Sequence, residues 1–249
     1  MSRISLVRLG VVVAGVLALE LACRFGMIAG TVMIPPSRMA VSLWRLFFVA
    51  QMREAMISTL ASVVVASLVA IVGGFVVGAG IHAVPRLRQA IDPLLASYYA
   101  VPTFLFYPVL IVFLGVGHAA IIATAVLTAA GVMVISTIGA LDQVPMVLRR
   151  TGLVLGMGWA ARTWRIVLPA AAPQLFSGVT LAVAYGFIGV IASEFILSGE
   201  GMGYAIANAY NEFDNPTMYG LMLLVLIVVG GVNGVLHHWD QVLRARRRR

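Results

Sequence analysis

Lysine is absent from this 249-residue chain, and all 17 basic residues are arginine. That excludes a Walker-type phosphate loop, a Schiff-base lysine and every other lysine chemistry, so energy for any work must come from elsewhere. Charge is scarce too: 10% of residues are charged, 61% are hydrophobic and the mean hydropathy is +1.03. No soluble domain of this size is so apolar, and the chain belongs in a lipid bilayer. A single cysteine, Cys23, excludes an intrachain disulfide and a cysteine metal site. His118, His237 and His238 have no partner at ligand spacing, so no metal is expected. Gly-x-Ser and His-Glu do not occur and no aspartate lies inside an apolar run, which argues against an intramembrane protease and leaves no catalytic residue to name. The formal charge of +8 would point to nucleic acid on a soluble protein; here the arginines cluster at the ends of apolar runs, where they set orientation, and no nucleic acid is expected.

What is present is a series of apolar stretches of membrane length. Ala55 to Ile81, Pro93 to Gly117, Ala119 to Leu141, Ile166 to Ser193 and Asn215 to Leu236 contain no Asp, Glu, Arg or His. A helix crosses the hydrocarbon with roughly 20 such residues. Leu9 to Ile34 is similar apart from Glu20 and Arg24, spaced as a helical ion pair. Leu21-Ala22-Cys23 resembles a lipoprotein cleavage site, but Glu20 stands where a large aliphatic is wanted, and a retained helix is expected. The expected architecture is therefore all-α and polytopic, one transmembrane domain over 1–249 with six spans near 9–34, 55–81, 93–115, 119–141, 170–195 and 217–238. Thirteen arginines (3, 8, 86, 88, 149, 150, 162, 165, 244 and 246–249) fall on one side of that arrangement, against Arg38, Arg45 and Arg53 on the other. The richer side is cytoplasmic, which places both termini there. The three exceptions sit in Pro36 to Glu54, where apolar and polar residues alternate at helical spacing, as in an amphipathic helix on the outer face.

Two spans carry packing signals. Ser58, Ser62, Ala66, Ala70, Gly74 and Gly78 set a small residue at every fourth position of the second, and Gly178, Ala182 and Gly186 repeat the device in the fifth. Small residues let helix backbones approach closely in lipid, so these ridges imply tight assembly. In the third span, interrupted by Pro93, Pro102 and Pro108, Tyr99, Thr103 and Tyr107 recur at helical spacing. Two readings are open: a polar face on a translocation path, or an aromatic packing stripe. Glu194, near the outer end of the fifth span, is either a substrate or gating residue of the path, or a group that snorkels to water or makes a structural hydrogen bond.

The longest inner connection, 142–168, is the most specific segment. Pro145 suits a helix start, Met146 to Leu155 a helix of about three turns, Gly156 a left-handed stop, and Trp159 to Val167 a second helix ending at Pro169. A helix-turn-helix that exposes arginines beside apolar residues fits docking of another protein. Here the chain resembles the permease subunits of ATP-binding-cassette importers. Their signature is Glu-Ala-Ala, three residues, Gly, nine residues, Ile, one residue, Leu-Pro; Gly156, Ile166, Leu168 and Pro169 match it, while Arg150-Thr151-Gly152 departs from the leading triplet. Ile34-Pro35-Pro36-Ser37, Asp92-Pro93-Leu94, Pro102 to Gly115, and Ala192-Ser193-Glu194 to Gly201-Met202-Gly203-Tyr204 are similar to the nitrate, sulfonate and taurine branch.

The resemblance implies a bacterial inner-membrane subunit that pairs with a second permease copy or paralogue, takes solute from an extracytoplasmic binding protein and is driven by separate ATPase subunits. It binds no cofactor itself; ATP is used by the partner. The coupling residues would be Arg149, Arg150, Thr151, Gly152, Gly156, Ile166, Leu168 and Pro169. The competing function is a small six-span secondary carrier working as a dimer, which buried ionisable residues at mid-membrane would favour.

Overall fold

The computed structural model describes residues 3–98 and 101–246. It is built from helices: α1 (Arg3–Arg24), α2 (Pro36–Leu46), α3 (Ala50–Ala83), α4 (Pro85–Tyr98), α5 (Tyr107–Leu114), α6 (His118–Asp142), α7 (Met146–Val154), α8 (Trp159–Arg162), α9 (Leu168–Leu197), α10 (Gly201–Asn211) and α11 (Asn215–Arg246). No strand occurs among the described residues. Among the described residues, four helical stretches are long and apolar enough to cross a membrane: Ala50–Ala83, His118–Asp142, Trp159–Ile196 and Asn215–Gln241.

The expected third span is not one straight helix. The two pieces Pro85–Tyr98 and Thr103–Leu114 meet at 94°, with Pro102 extended before a 3-10 turn over Thr103–Phe106. Proline lacks the N–H that would carry the helix through, and it pushes the residue before it out of helical space. The first expected span also stops early, since α1 ends at Arg24 and Gly26 turns the chain at φ +71°. The amphipathic outer helix is shorter than Pro36 to Glu54: α2 closes at Leu46, and Ala50 to Glu54 begin α3. Its Met39 and Leu46 are buried while Val41, Trp44 and Phe48 are exposed, with the two rings edge to face at 5.6 Å.

The core is a triangle of α3, α6 and α9, and the small-residue ridges make it. A Cβ on Gly74 would stand 2.7 Å from Met133 Cβ and one on Gly78 2.9 Å from Thr137 Cβ, both on α6. Gly178 and Gly186 of α9 press as closely on Ser136 and Ser67. Ser62, Ala66 and Ala70 of the α3 ridge are buried with them, while Val64, Leu68, Val72 and Val76 on the opposite side are exposed. Ridge packing therefore builds this chain's own interior. Hydroxyls inside it return to the helix backbone: Thr124, Thr128, Thr137 and Ser193 each donate to the carbonyl four residues earlier.

Candidate functional site

Two features stand at opposite ends of this triangle. At the end where α3 and α6 finish, α7 starts behind Pro145 and closes at Gly156 with φ +64°. The Gly156 N–H donates to Leu153 O at 3.0 Å and the Met157 N–H to Gly152 O at 3.0 Å. Those two bonds are a Schellman motif, which needs a left-handed residue at this position. Nothing lies within 4 Å of a Cβ placed on Gly156, so the requirement is conformational rather than steric.

The second helix of the segment does not end at Pro169. From Trp159 the chain runs through α8 and a π-helical turn, Thr163–Val167, directly into α9, with the Leu168 N–H bonded to Thr163 O. Pro169 has no N–H to offer the preceding turn, and the wider π turn accommodates its ring without breaking the helix. Ile166 and Leu168 are half-buried and Pro169 is exposed. Gly152, in the triplet that departs from the signature, is buried where α7 crosses α8: a Cβ there would meet Arg162 Cγ at 2.9 Å and Ile166 Cδ1 at 3.0 Å.

The arginines of this segment divide. Arg149 turns inward and donates through Nη2 to Leu141 O, capping the end of α6. Arg150 and Arg165 are exposed, as are Val147, Val154, Leu155, Trp159 and Trp164, so the segment presents both charge and apolar area. Thr151 is exposed and donates to Val147 O at 3.0 Å. Asp142, the last residue of α6, accepts from Arg88 Nη1 of α4 and stands 3.1 Å from His82 Nδ1 of α3. The sequence had not singled out this junction, because its members are 54 and 60 residues from Asp142.

At the other end Glu194 is 1% exposed. The Gly203 N–H donates to Oε2 at 2.9 Å, and Thr59 Oγ1 of α3 lies 2.9 Å from both carboxylate oxygens. Thr59 Oγ1 in turn accepts the Met202 N–H at 2.8 Å. Glu194 and Thr59 thus take up N–H groups in the first turn of α10, which has no side-chain cap of its own. The positive end of the α10 dipole faces the carboxylate, and both direct donors are neutral. Space is the second constraint: Cβ atoms on Gly201 and Gly203 would lie 2.3 Å from Glu194 Cδ and 2.5 Å from Ile191 O, and Gly201 has φ +95°. Gly-x-Gly after Glu194 is the trace of this clamp in the sequence, whereas Thr59 lay unmarked within an apolar span. The structural hydrogen bond is the reading of Glu194 that this geometry supports.

The tyrosine-threonine stripe does not form one helical face. Tyr99 lies outside the described residues, Thr103 begins the 3-10 turn beyond the 94° bend, and Tyr107 begins α5. Tyr107 is fully buried among Val63, Ala66, Ile121 and Phe187, in packed core rather than on a lumen. Thr103 Oγ1 is 2.7 Å from Thr128 Oγ1 on α6. Among the described residues no three metal-ligating side chains come together.

Comparison with known proteins agrees with the architecture. The taurine transport system permease protein TauC of Escherichia coli is 24% identical over 183 residues, 73% of this chain and 66% of TauC. The nitrate import permease protein NrtB of Synechocystis is 26% identical over 188 residues, 76% of this chain and 67% of NrtB. The bicarbonate transport system permease protein CmpB of Synechococcus elongatus is 27% identical over 173 residues, 69% of this chain and 59% of CmpB. The chain thus spans about two thirds of the length of these relatives, or less. A chain of the MetNI methionine ABC transporter in an inward-facing conformation shares the fold, with a TM-score of 0.69 at 18% identity over 78% of this chain and 95% of that one. Residues 70–249, which include α6, the Gly156 turn, Glu194 and Gly203 but not Thr59, match the family described as the binding-protein-dependent transport system inner membrane component, and the chain belongs to that family.

Proposed function

We propose that this chain is the permease subunit of an ATP-binding-cassette importer, providing the path for a small solute delivered by an extracytoplasmic binding protein and driven by ATPase subunits on other chains. The observation that carries the proposal is the α7–α8 segment, where Gly156 sets the angle between two short helices and Arg150, Trp159 and Trp164 stand exposed on the outside. A face of that composition is a docking surface, and hydrolysis on a docked partner agrees with the absence of lysine here. Gly152, Gly156, Ile166, Leu168 and Pro169 hold its shape; Arg150 and Thr151 are its contact residues; Arg149 ties it to α6. The chain forms one permease domain, with α1, the four long helices and the bent pair as six spans and both termini in the cytoplasm. Glu54, Glu200, Glu212 and Asp214 line one cavity of about 500 Å³ at the opposite face, where the binding protein would release solute. Thr103 is the candidate path residue; Tyr107 and Glu194 hold the helices around it.

The test is purification of the tagged chain in mild detergent from its native membrane. Recovery of an ATPase subunit that is lost on Arg150→Glu combined with Trp159→Ala supports the proposal. Recovery of the ATPase unchanged by both substitutions refutes the docking face, and absence of any ATPase from the native complex refutes the importer.

A further inference from the structure

A cavity of about 980 Å³ lies between α1, α9 and α11. Val16 and Leu19 of α1, Ile188 and Phe195 of α9, and Leu223 and Leu226 of α11 form its walls, and Pro36 and Met39 of α2 stand at one end. Tyr219 brings the only polar side-chain atom of the lining, and it is spent, since its hydroxyl donates to Val32 O at 2.6 Å. Such a space does not hold water, which needs two or more polar partners.

Its length identifies what fits. The lining on α9 runs from Ala184 to Ile196, about 18 Å at 1.5 Å per residue. One leaflet of hydrocarbon is about 15 Å deep, half of the bilayer core. A neighbouring helix that crossed the membrane would need a groove of roughly 30 Å, so the slot suits an acyl chain and not a span of a second copy. The α2 end of the slot also carries a net positive charge. Arg38, between the lining residues Pro36 and Met39, is exposed, and so is Arg24 at the end of α1, which the Glu20–Ser37 bonds hold beside the start of α2. The adjacent acid, Glu20, is occupied: it takes Arg24 Nε at 2.6 Å, the Ser37 N–H at 2.9 Å and the Ser37 hydroxyl at 2.7 Å. Two arginines against one engaged carboxylate leave a cationic rim above an apolar slot, the complement of an anionic phospholipid.

We infer that the slot between α1, α9 and α11 is a binding site for an anionic phospholipid, whose acyl chain lies along Ile188 and Leu226 and whose phosphate meets Arg38 and Arg24. The assignment to the outer leaflet rests on the proposed topology; the binding itself needs only a membrane-embedded chain. The lipid fills the gap between α1 and the α9–α11 wall, so α1 is held to the body partly through lipid.

The experiment is native mass spectrometry of the full chain from nanodiscs containing equal phosphatidylglycerol and phosphatidylcholine. The wild type should retain phosphatidylglycerol in preference to phosphatidylcholine. Ile188→Trp, which fills the slot from an exposed position, should cut retention about tenfold, a change of one decade in affinity. Arg38→Gln should lower the preference for phosphatidylglycerol by a factor of about five, one basic residue's contribution at an anionic surface. Val72→Trp, on the exposed side of α3, should change neither. Retention unaffected by Ile188→Trp overturns the site, and equal retention of the two lipids by the wild type overturns the cationic rim. In a Cys23→Ala background, disulfide formation between chains through Ile188→Cys overturns the acyl chain in favour of a second copy. These readouts need no ATPase or solute, so a failed importer assay leaves them standing.

Discussion

Replacing Thr59 by valine tests the clamp at the Glu194 end, because the two side chains have nearly the same shape and differ in one hydroxyl. In the native chain that hydroxyl serves two partners: it accepts the Met202 N–H and donates to Glu194. Valine leaves a buried N–H unpaired and removes one of two direct donors from a carboxylate that is 1% exposed. An orphaned buried donor costs about 1–3 kcal/mol, more when the group left behind is charged, so Thr59→Val should cost about 3 kcal/mol. Glu194→Ala should cost about as much through the unpaired Gly203 N–H and the space vacated. Glu194→Gln is different: an amide oxygen in the place of Oε2 can still accept from both the Gly203 N–H and the Thr59 hydroxyl, so the change should stay within about 1 kcal/mol. In the double variant Thr59→Val with Glu194→Ala the loss should fall short of the sum by about 1–2 kcal/mol, since the carboxylate that valine strands is no longer there. SDS unfolding in mixed micelles, followed by tryptophan fluorescence, measures all four. Additivity within about 0.5 kcal/mol, or equal costs for Glu194→Gln and Glu194→Ala, would refute the clamp.

Gly156→Ala should cost the α7 turn about 1 kcal/mol and Gly156→Val more, with Gly156→Asn closer to wild type, because the position needs φ +64° and has open space around it. ATPase recovery should fall in that order while SDS unfolding of the spans stays put; a valine variant that binds its ATPase normally removes the turn from coupling. Gly78→Val should abolish folded yield by driving α3 off Val134 O and Thr137, whereas Gly80→Val, two residues on with nothing within 4 Å, should be harmless. Equal yields would show that α3 and α6 do not meet along this ridge. A reporter active only outside the cytoplasm should be active after Asn211 and silent after Arg249; the reverse inverts the topology.

What the sequence revealed depended on whether a feature was local. Gly156 was legible as a helix stop because its environment is its own neighbours, and the ridge from Ser62 to Gly78 was legible because helical periodicity puts it on one face. The fold class followed from hydropathy, and the family from the resemblance of the Gly156 to Pro169 motif to the importer-permease signature. The 94° bend was signalled by Pro102, but a proline tells only that regular hydrogen bonding stops and not at what angle the chain continues. Pro169 misled for the opposite reason: the π turn at Thr163–Val167 absorbs it, and no residue type announces a π turn. Thr59 with Glu194, and Asp142 with Arg88, were out of reach because the pairs are 135 and 54 residues apart and each member alone has an ordinary role.

The continuity through Pro169 has a mechanical consequence. From Trp159 to Ile196 the helix is 38 residues, about 57 Å at 1.5 Å per residue. One end carries Trp159 and Arg165, exposed on the proposed docking face, and the other carries Glu194 in the clamp with α3 and α10. A break at Pro169 would have isolated the docking segment from the spans; the π turn keeps them in one piece. On the proposed reading, a partner that tilts the Trp159 end moves the Glu194 end by leverage, with the close contact of Gly178 on Ser136 between them. Glu194 then ceases to be a path residue in need of a ligand. On that reading it is the point where this helix hands its motion to α10 and, through Thr59, to α3. Loosening the clamp with Thr59→Val should therefore leave ATPase recovery intact while making the accessibility of a cysteine at Ala205 independent of nucleotide. Accessibility that still follows nucleotide would show that α10 moves without the clamp and that the lever acts elsewhere.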